Sequence, residues 1–178
     1  MNTPHTDGCK MDALKDPNLS ADEIKLLNGL QGIQRIVINS CHGGFGLSEA
    51  AVRRYLELRG IEVWVEPRTE TYMSLGPLYW LVPPGPHRAT YDPSPEAWSR
   101  MTMAERQANN KILDSQLFYA RDIARDDPLL VRVVEELGSQ SYGRHAELKV
   151  VDVPSDVEWT IEEYDGSEWV AEVHRTWQ

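Results

Sequence analysis

Gly43, Gly44 and Gly46 place three glycines within four residues, between a β-branched run and a candidate helix. That order of residue types suits anion binding. Backbone without side chains can approach a ligand closely, and a loop of free N–H groups leading into a helix N-terminus favours an anion, typically a phosphate. Arginine grips phosphate through two parallel hydrogen bonds. Arg121, Arg125 and Arg132 cluster downstream, and Arg144 and Arg175 are further candidates. One or two of these against the glycine loop would complete an anion site. The alternative is plainer: the glycines permit a tight turn, and Asp122, Asp126 and Asp127 pair with the arginines among which they lie.

Sharper chemistries are excluded by single residues. A P-loop needs a lysine after its last glycine, and Leu47 stands there. The dinucleotide fingerprint lacks its third glycine. A phosphatase-type cysteine at position 41 would require an arginine at 47, again leucine. Cys41 and His42 are adjacent on an extended segment and point to opposite faces, which is poor geometry for a nucleophile and its base. Glu162, Glu163, Asp165 and Glu168 gather at a hairpin tip and read as a solvated surface rather than an acid–base pair. No His/Glu spacing suggests a metal, and no cofactor is expected.

The elements that must position the loop are legible around it. Ile36, Val37 and Ile38 suit a strand buried on both faces. Ser48 is a good N-cap, Val52, Tyr55 and Leu56 give one apolar helical face, and Gly60 suits the helix C-terminus. Ile61–Val65 then reads as a second strand, making a βαβ unit with adjacent parallel strands. Upstream, Ser20 with Glu23 forms a capping box for a short helix through Leu27. Residues 66–100 are rich in proline and carry Tyr72, Tyr79, Trp80, Tyr91 and Trp98, either as a binding flap or as aromatics pinning a loop to the core. Thr102 with Glu105 opens a polar helix bearing Asn109 and Asn110. Asp127 caps another, with Pro128 at its first position and Leu130, Val133, Val134 and Leu137 along one stripe, ended by Gly138. A strand runs from Leu148 to Val153.

The C-terminal hairpin is expected to turn through a three-residue loop, Asp165-Gly166-Ser167. That loop opposes Trp159 to Val173, Ile161 to Ala171 and Glu158 to His174. The fold class is therefore α/β: a small mixed sheet with a strand–Gly loop–helix unit, flanking helices and a C-terminal β-hairpin. Residues 1–32 are expected as an N-terminal extension, in part disordered. Residues 33–178 form a single ligand-binding domain with the aromatic, proline-rich insertion at about 66–100.

At 178 residues the chain is long enough for a sizeable core. A net charge of -10 argues against DNA or an acidic membrane surface as partner, because both need a basic field. The two cysteines, Cys9 and Cys41, make neither a disulfide framework nor a zinc pattern. With no transmembrane-length run and no signal-peptide core, the expected location is the cytoplasm.

Three blocks resemble the phage-encoded Thoeris anti-defence proteins of the first described type. They are Ile-Asn-Ser-Cys-His-Gly-Gly-Phe-Gly-Leu-Ser48, the stretch from Phe118-Tyr-Ala-Arg-Asp-Ile-Ala-Arg-Asp-Asp-Pro to Gly138, and the hairpin from Val157 to Trp177. The resemblance implies a sponge that binds a cyclic ADP-ribose isomer made by TIR-domain immune proteins and holds it without degrading it. It also implies dimers that can assemble into hexamers, and in some members separate sites for cyclic oligonucleotides. Carried over, the Gly43–Leu47 loop cradles the pyrophosphate, Arg125 binds a phosphate or ribose, and Asn109 or Asn110 contacts the nucleotide. Trp98 or Tyr91 stacks on it. The expected ligand residues are thus Cys41, Gly43, Gly44, Phe45, Gly46, Leu47, Trp98, Asn109, Asn110, Arg121 and Arg125. A nucleotide-processing enzyme and a protein-interaction module are the competing readings.

Overall fold

The computed structural model of the chain describes residues 16, 18–67, 76–89 and 95–173. It is a mixed α/β structure with two compact units, one built from Met1–Ala51 and Ile123–Gln178 and the other from Val52–Asp122. The expected disorder near the N-terminus falls outside the described residues.

The first unit is centred on two antiparallel strands, β1 (Ile33–Asn39) and β5 (Leu148–Pro154), in register from Ile33 opposite Pro154 to Asn39 opposite Leu148. The even-numbered residues of β1 face a C-terminal hairpin of β6 (Trp159–Tyr164) and β7 (Ser167–Glu172). Ile36, Ile38 and Val153 are buried there, packed against Trp159, Ile161 and Val170. Against the strand pair also lies helix α5 (Pro128–Leu137), with Leu130 and Val133 fully buried. Asp127 caps α5 by accepting from the amides of Leu129 and Leu130, and Gly138 closes it at φ +53°. Both ends follow the sequence reading. Arg35 on β1 pairs with Glu135 of α5 and with Asp152 directly across on β5. The Glu135 hydrogen bond holds its guanidinium above the ordinary arginine range.

Helix α1 (Ala21–Leu30) packs against β1 and α5 and buries Ile24 and Asn28, so this stretch contributes to the core of the first unit. Its capping box is complete: Ser20 Oγ accepts from the Glu23 amide, and the Glu23 carboxylate accepts from Ser20. These hydrogen bonds hold the Glu23 carboxyl below the ordinary glutamate value, the side-chain bond contributing most. A lowered folded-state pKa stabilises above the unfolded value and loses its contribution as pH falls through the folded one. Titrating Glu23 by carboxyl NMR should therefore show a midpoint below the ordinary value in the native chain, returning toward it in Ser20→Ala. An unchanged midpoint in Ser20→Ala would refute that origin.

In the second unit the order is β2 (Trp64–Glu66), β3 (Leu78–Trp80), α3 (Pro95–Arg100), α4 (Met103–Gln116) and β4 (Leu117–Phe118). The division between units falls within α2 (Glu49–Arg59), after Ala51. Val52, Tyr55 and Leu56 of α2 are buried as expected. A Gly60 of φ +65° closes the helix, with Gly60 N–H donating to Glu57 and Ile61 N–H to Leu56. The strands β2, β3 and β4 pair in that order, all antiparallel. Leu78, Trp80, Leu113 and Leu117 form the core of this unit. Tyr79 and Trp80 are core residues as well, the pinning alternative rather than the flap for these two.

Two expectations are corrected. The βαβ unit with parallel strands does not form: β1 pairs with β5, and β2 shortens to three residues paired with β3. Nearness along the chain is only a tendency. Leu148–Pro154 offers β1 a longer partner than Trp64–Glu66 can.

The hairpin register also differs by one residue. The turn is two residues, Asp165 at φ +51° and Gly166 at φ +82°, with Trp159 opposite Glu172 and Ile161 opposite Val170. Two consecutive positive φ values make the turn whose twist matches paired strands. The slip sends Trp169 to the outer face, where it is exposed and donates to Glu162, and brings Val170 and Glu168 inward. The pairing of Glu158 with His174 falls outside the described residues.

Candidate functional site

The glycine loop leaves β1 at Asn39, whose side chain is fully buried and fully engaged. Its Nδ2 donates to the carbonyls of Cys41 and Gly166, and its Oδ1 accepts from the Glu147 amide at 2.8 Å. An asparagine suits this place because one planar group supplies donors and an acceptor in three directions. It ties the start of the loop to the hairpin tip and to the segment before β5. Ser40 reinforces this through its amide and hydroxyl, both donating to the Glu147 carbonyl. The Cys41 thiol lies 3.1 Å from the His145 carbonyl oxygen. His42 is exposed, with Nδ1 3.9 Å from an Asp165 carboxylate oxygen.

Close backbone packing explains several of the glycines. A Cβ on Gly43 would lie 1.5 Å from the His145 carbonyl oxygen. A Cβ on Gly166 would lie 2.6 Å from the Gly44 nitrogen, and one on Gly143 2.8 Å from the Gly46 carbonyl carbon. The loop is thus sandwiched between residues 143–145 and the hairpin tip. Gly44 has open space around its Cα but sits at φ +81°. Gly143 N–H donates to the Gly46 carbonyl, and Leu47 bridges Tyr142. Among the described residues nothing accepts from the amides of Gly43, Gly44, Phe45 or Gly46. Ser48 then caps α2, its Oγ accepting from the Ala51 amide at 3.1 Å while donating to the Gln140 carbonyl.

Arg125 reaches this loop, as one arginine was expected to. Its Cζ lies 3.3 Å over the Phe45 ring, a cation–π contact at close range. Its guanidinium is already paired. Nη1 and Nη2 donate to the two Glu168 oxygens at 3.0 and 2.9 Å, and Nη1 also donates to the Val37 carbonyl. Glu168 further accepts from the Asn39 amide at 2.8 Å. Its side chain is 10% exposed. Glu168 is therefore not part of a solvated tip, which corrects the expectation for that residue. The neighbouring acids play other parts: Asp127 caps α5, and Arg132 pairs with Glu136 rather than with an aspartate.

Cys41, the loop residues and Arg125 belong to the first unit; Asn109, Asn110, Trp98 and Arg121 belong to the second. Asn109 is half-buried on α4, with an Nδ2 that is out of solvent and unpaired among the described residues, and Asn110 is exposed. Arg121 is exposed, stacked 4.8 Å over the Tyr119 ring and 3.7 Å from Asp122. Trp98 lies in α3 with its side chain outside the described residues, as do all of Tyr91 and Arg175. Arg144 is exposed.

Asn39 and Glu168 were missed by sequence reasoning. A polar residue ending a run as apolar as Ile36–Ile38 was the available signal for the first, and the Asp165-Gly166 pair for the second. A separate cavity of about 360 Å³ opens between β5 and the hairpin, lined by Val151, Val153, Val157, Trp159 and Val170 among others, and none of the expected ligand residues lines it.

Among the described residues, no group of three or more His, Cys, Asp or Glu side chains could hold a metal. No helix among them is long and apolar enough to cross a membrane. Comparison with known proteins brings no match: no family model, no curated protein and no solved structure is similar to this chain.

Proposed function

We propose that this protein binds a cyclic ADP-ribose-type signalling nucleotide at the glycine loop and sequesters it without degrading it, acting as a phage anti-defence sponge against TIR-domain immunity. The observation that carries the reading is the meeting of two features more than seventy residues apart in the chain: the amides of Gly43–Gly46, unpaired among the described residues, and the Arg125 guanidinium over Phe45. Unpaired amides before a capped helix favour a phosphate, and the three sequence blocks supply the ligand class. Glu168 already neutralises Arg125, so the pyrophosphate binds chiefly through the loop amides, with Arg125 and Phe45 fixing the loop's shape. Dimers, hexamers and a second site for cyclic oligonucleotides follow from the same resemblance, as does action in the host cytoplasm where the signal is made.

The test is to incubate purified protein with the TIR-made cyclic ADP-ribose isomer, filter, release by heat and weigh what was held. Intact ligand in the protein fraction is expected. An altered mass would mean an enzyme, and ligand left wholly free would overturn the assignment.

A further inference from the structure

The second unit holds a charged donor edge that no described residue accepts from. Arg88 follows the proline-rich turn at residues 83–86, and its side chain is 15% exposed. Its Cζ lies 3.9 Å over the ring of Trp80, a core residue that is 1% exposed. Its Nη1 donates to one Glu66 oxygen at 3.2 Å, and the Trp80 indole N–H donates to that same oxygen at 2.9 Å. Nε and Nη2 are out of solvent, and no described residue accepts from either. Those two N–H groups lie along one side of the guanidinium, the edge that pairs with two oxygens of a carboxylate or phosphate.

The position of Arg88 is set on both sides. Gln116 of α4 accepts from the Ala89 amide at 2.7 Å and donates to the His87 carbonyl at 2.9 Å. The Arg88 amide itself donates to the Gly85 carbonyl. The backbone is therefore clamped immediately before and after the arginine, and its ring contact below fixes the plane of the guanidinium. Charged donors shut away from water without an acceptor are costly, more so than neutral ones. A partner that supplies two oxygens removes that cost and meets a group already held in place, so little ordering is required on binding.

We propose that the Nε–Nη2 edge of Arg88 is an oxyanion subsite for the phosphate or carboxylate group of a small ligand. This site is independent of the glycine loop and of the sponge reading, since every residue that forms it belongs to the second unit.

The experiment titrates the full chain with inorganic phosphate, and separately with acetate, against chloride at equal ionic strength. It follows the arginine Nε–Hε signals by NMR, with the Arg88 signal assigned by its loss in Arg88→Lys. A saturable shift of that signal with phosphate alone assigns a phosphate group. A shift with both anions assigns the oxyanion subsite to either class. No saturable shift with either, while the Arg88 signal remains visible, overturns the proposal. The wild-type titration does not depend on the variant folding.

Discussion

Arg125→Ala should lower the unfolding free energy by about 3–5 kcal/mol, the range for breaking a buried ion pair from one side. The substitution leaves Glu168, with a side chain 10% exposed, without either guanidinium contact and, among the described residues, with only the Asn39 amide to answer its charge. It also removes a donor from the Val37 carbonyl and the cation from the Phe45 ring. For a chain of this size each kcal/mol moves the thermal midpoint by about 2–4 °C, so a fall on the order of 10 °C is expected. Removing both charges in Arg125→Met with Glu168→Leu should recover most of the loss, since two apolar side chains of similar volume often replace a buried pair without penalty. Urea denaturation of the two variants beside the native chain measures both effects. A loss under about 1 kcal/mol in Arg125→Ala would show that the pair is not a stabilising element. The same result governs ligand studies: a binding defect in Arg125→Ala is interpretable only where the variant is still folded.

Gly43→Ala should be the most damaging of the loop glycine substitutions. Its Cβ would lie 1.5 Å from the His145 carbonyl oxygen and 2.4 Å from that carbonyl carbon, both backbone atoms. No rotamer change relieves such an overlap, so the loop must part from residues 143–145, and a cost on the order of 3 kcal/mol or more is expected. Gly44→Ala is the control. It meets nothing within 4 Å and carries only the strain of a φ of +81°, about 1–2 kcal/mol. Because the Cys41 thiol packs on the His145 carbonyl, Gly43→Ala should also speed thiol labelling of Cys41, and Gly44→Ala should not. Equal losses in the two variants would mean that the sandwich at Gly43 is not as tight as its geometry implies.

What the sequence made legible was local. The capping boxes at Ser20 and Thr102, the Asp127–Pro128 start and the Gly60 and Gly138 stops each depend on a few adjacent residues, and all are found where expected. What it concealed were choices among distant partners. Ile36–Val37–Ile38 announces a buried strand, yet nothing in those residues names Leu148–Pro154 rather than Ile61–Val65 as its neighbour. In the hairpin, Trp169, Ala171 and Val173 alternate persuasively, and that pattern argued for the wrong register. The turn geometry of Asp165-Gly166 and the inward pull of Glu168 toward Arg125 outweigh it, at the cost of leaving Trp169 exposed. The site was half visible for the same reason. Its loop glycines fall within four residues, whereas Glu168 stands 129 positions from the amide it accepts from.

The first unit is written in two stretches of chain with the whole of the second unit between them. During synthesis, β1 emerges long before its partner, which ends at Pro154. At about 5–20 residues per second, that interval is on the order of ten seconds. Throughout it the Ile36–Val37–Ile38 segment has neither β5 beside it nor the hairpin over it, and presents an open apolar edge. The second unit, continuous in sequence, has everything it needs before then. Nascent chains of this protein are therefore most exposed to aggregation after the second unit has closed, and release from that hazard coincides with the arrival of Glu168 at Arg125.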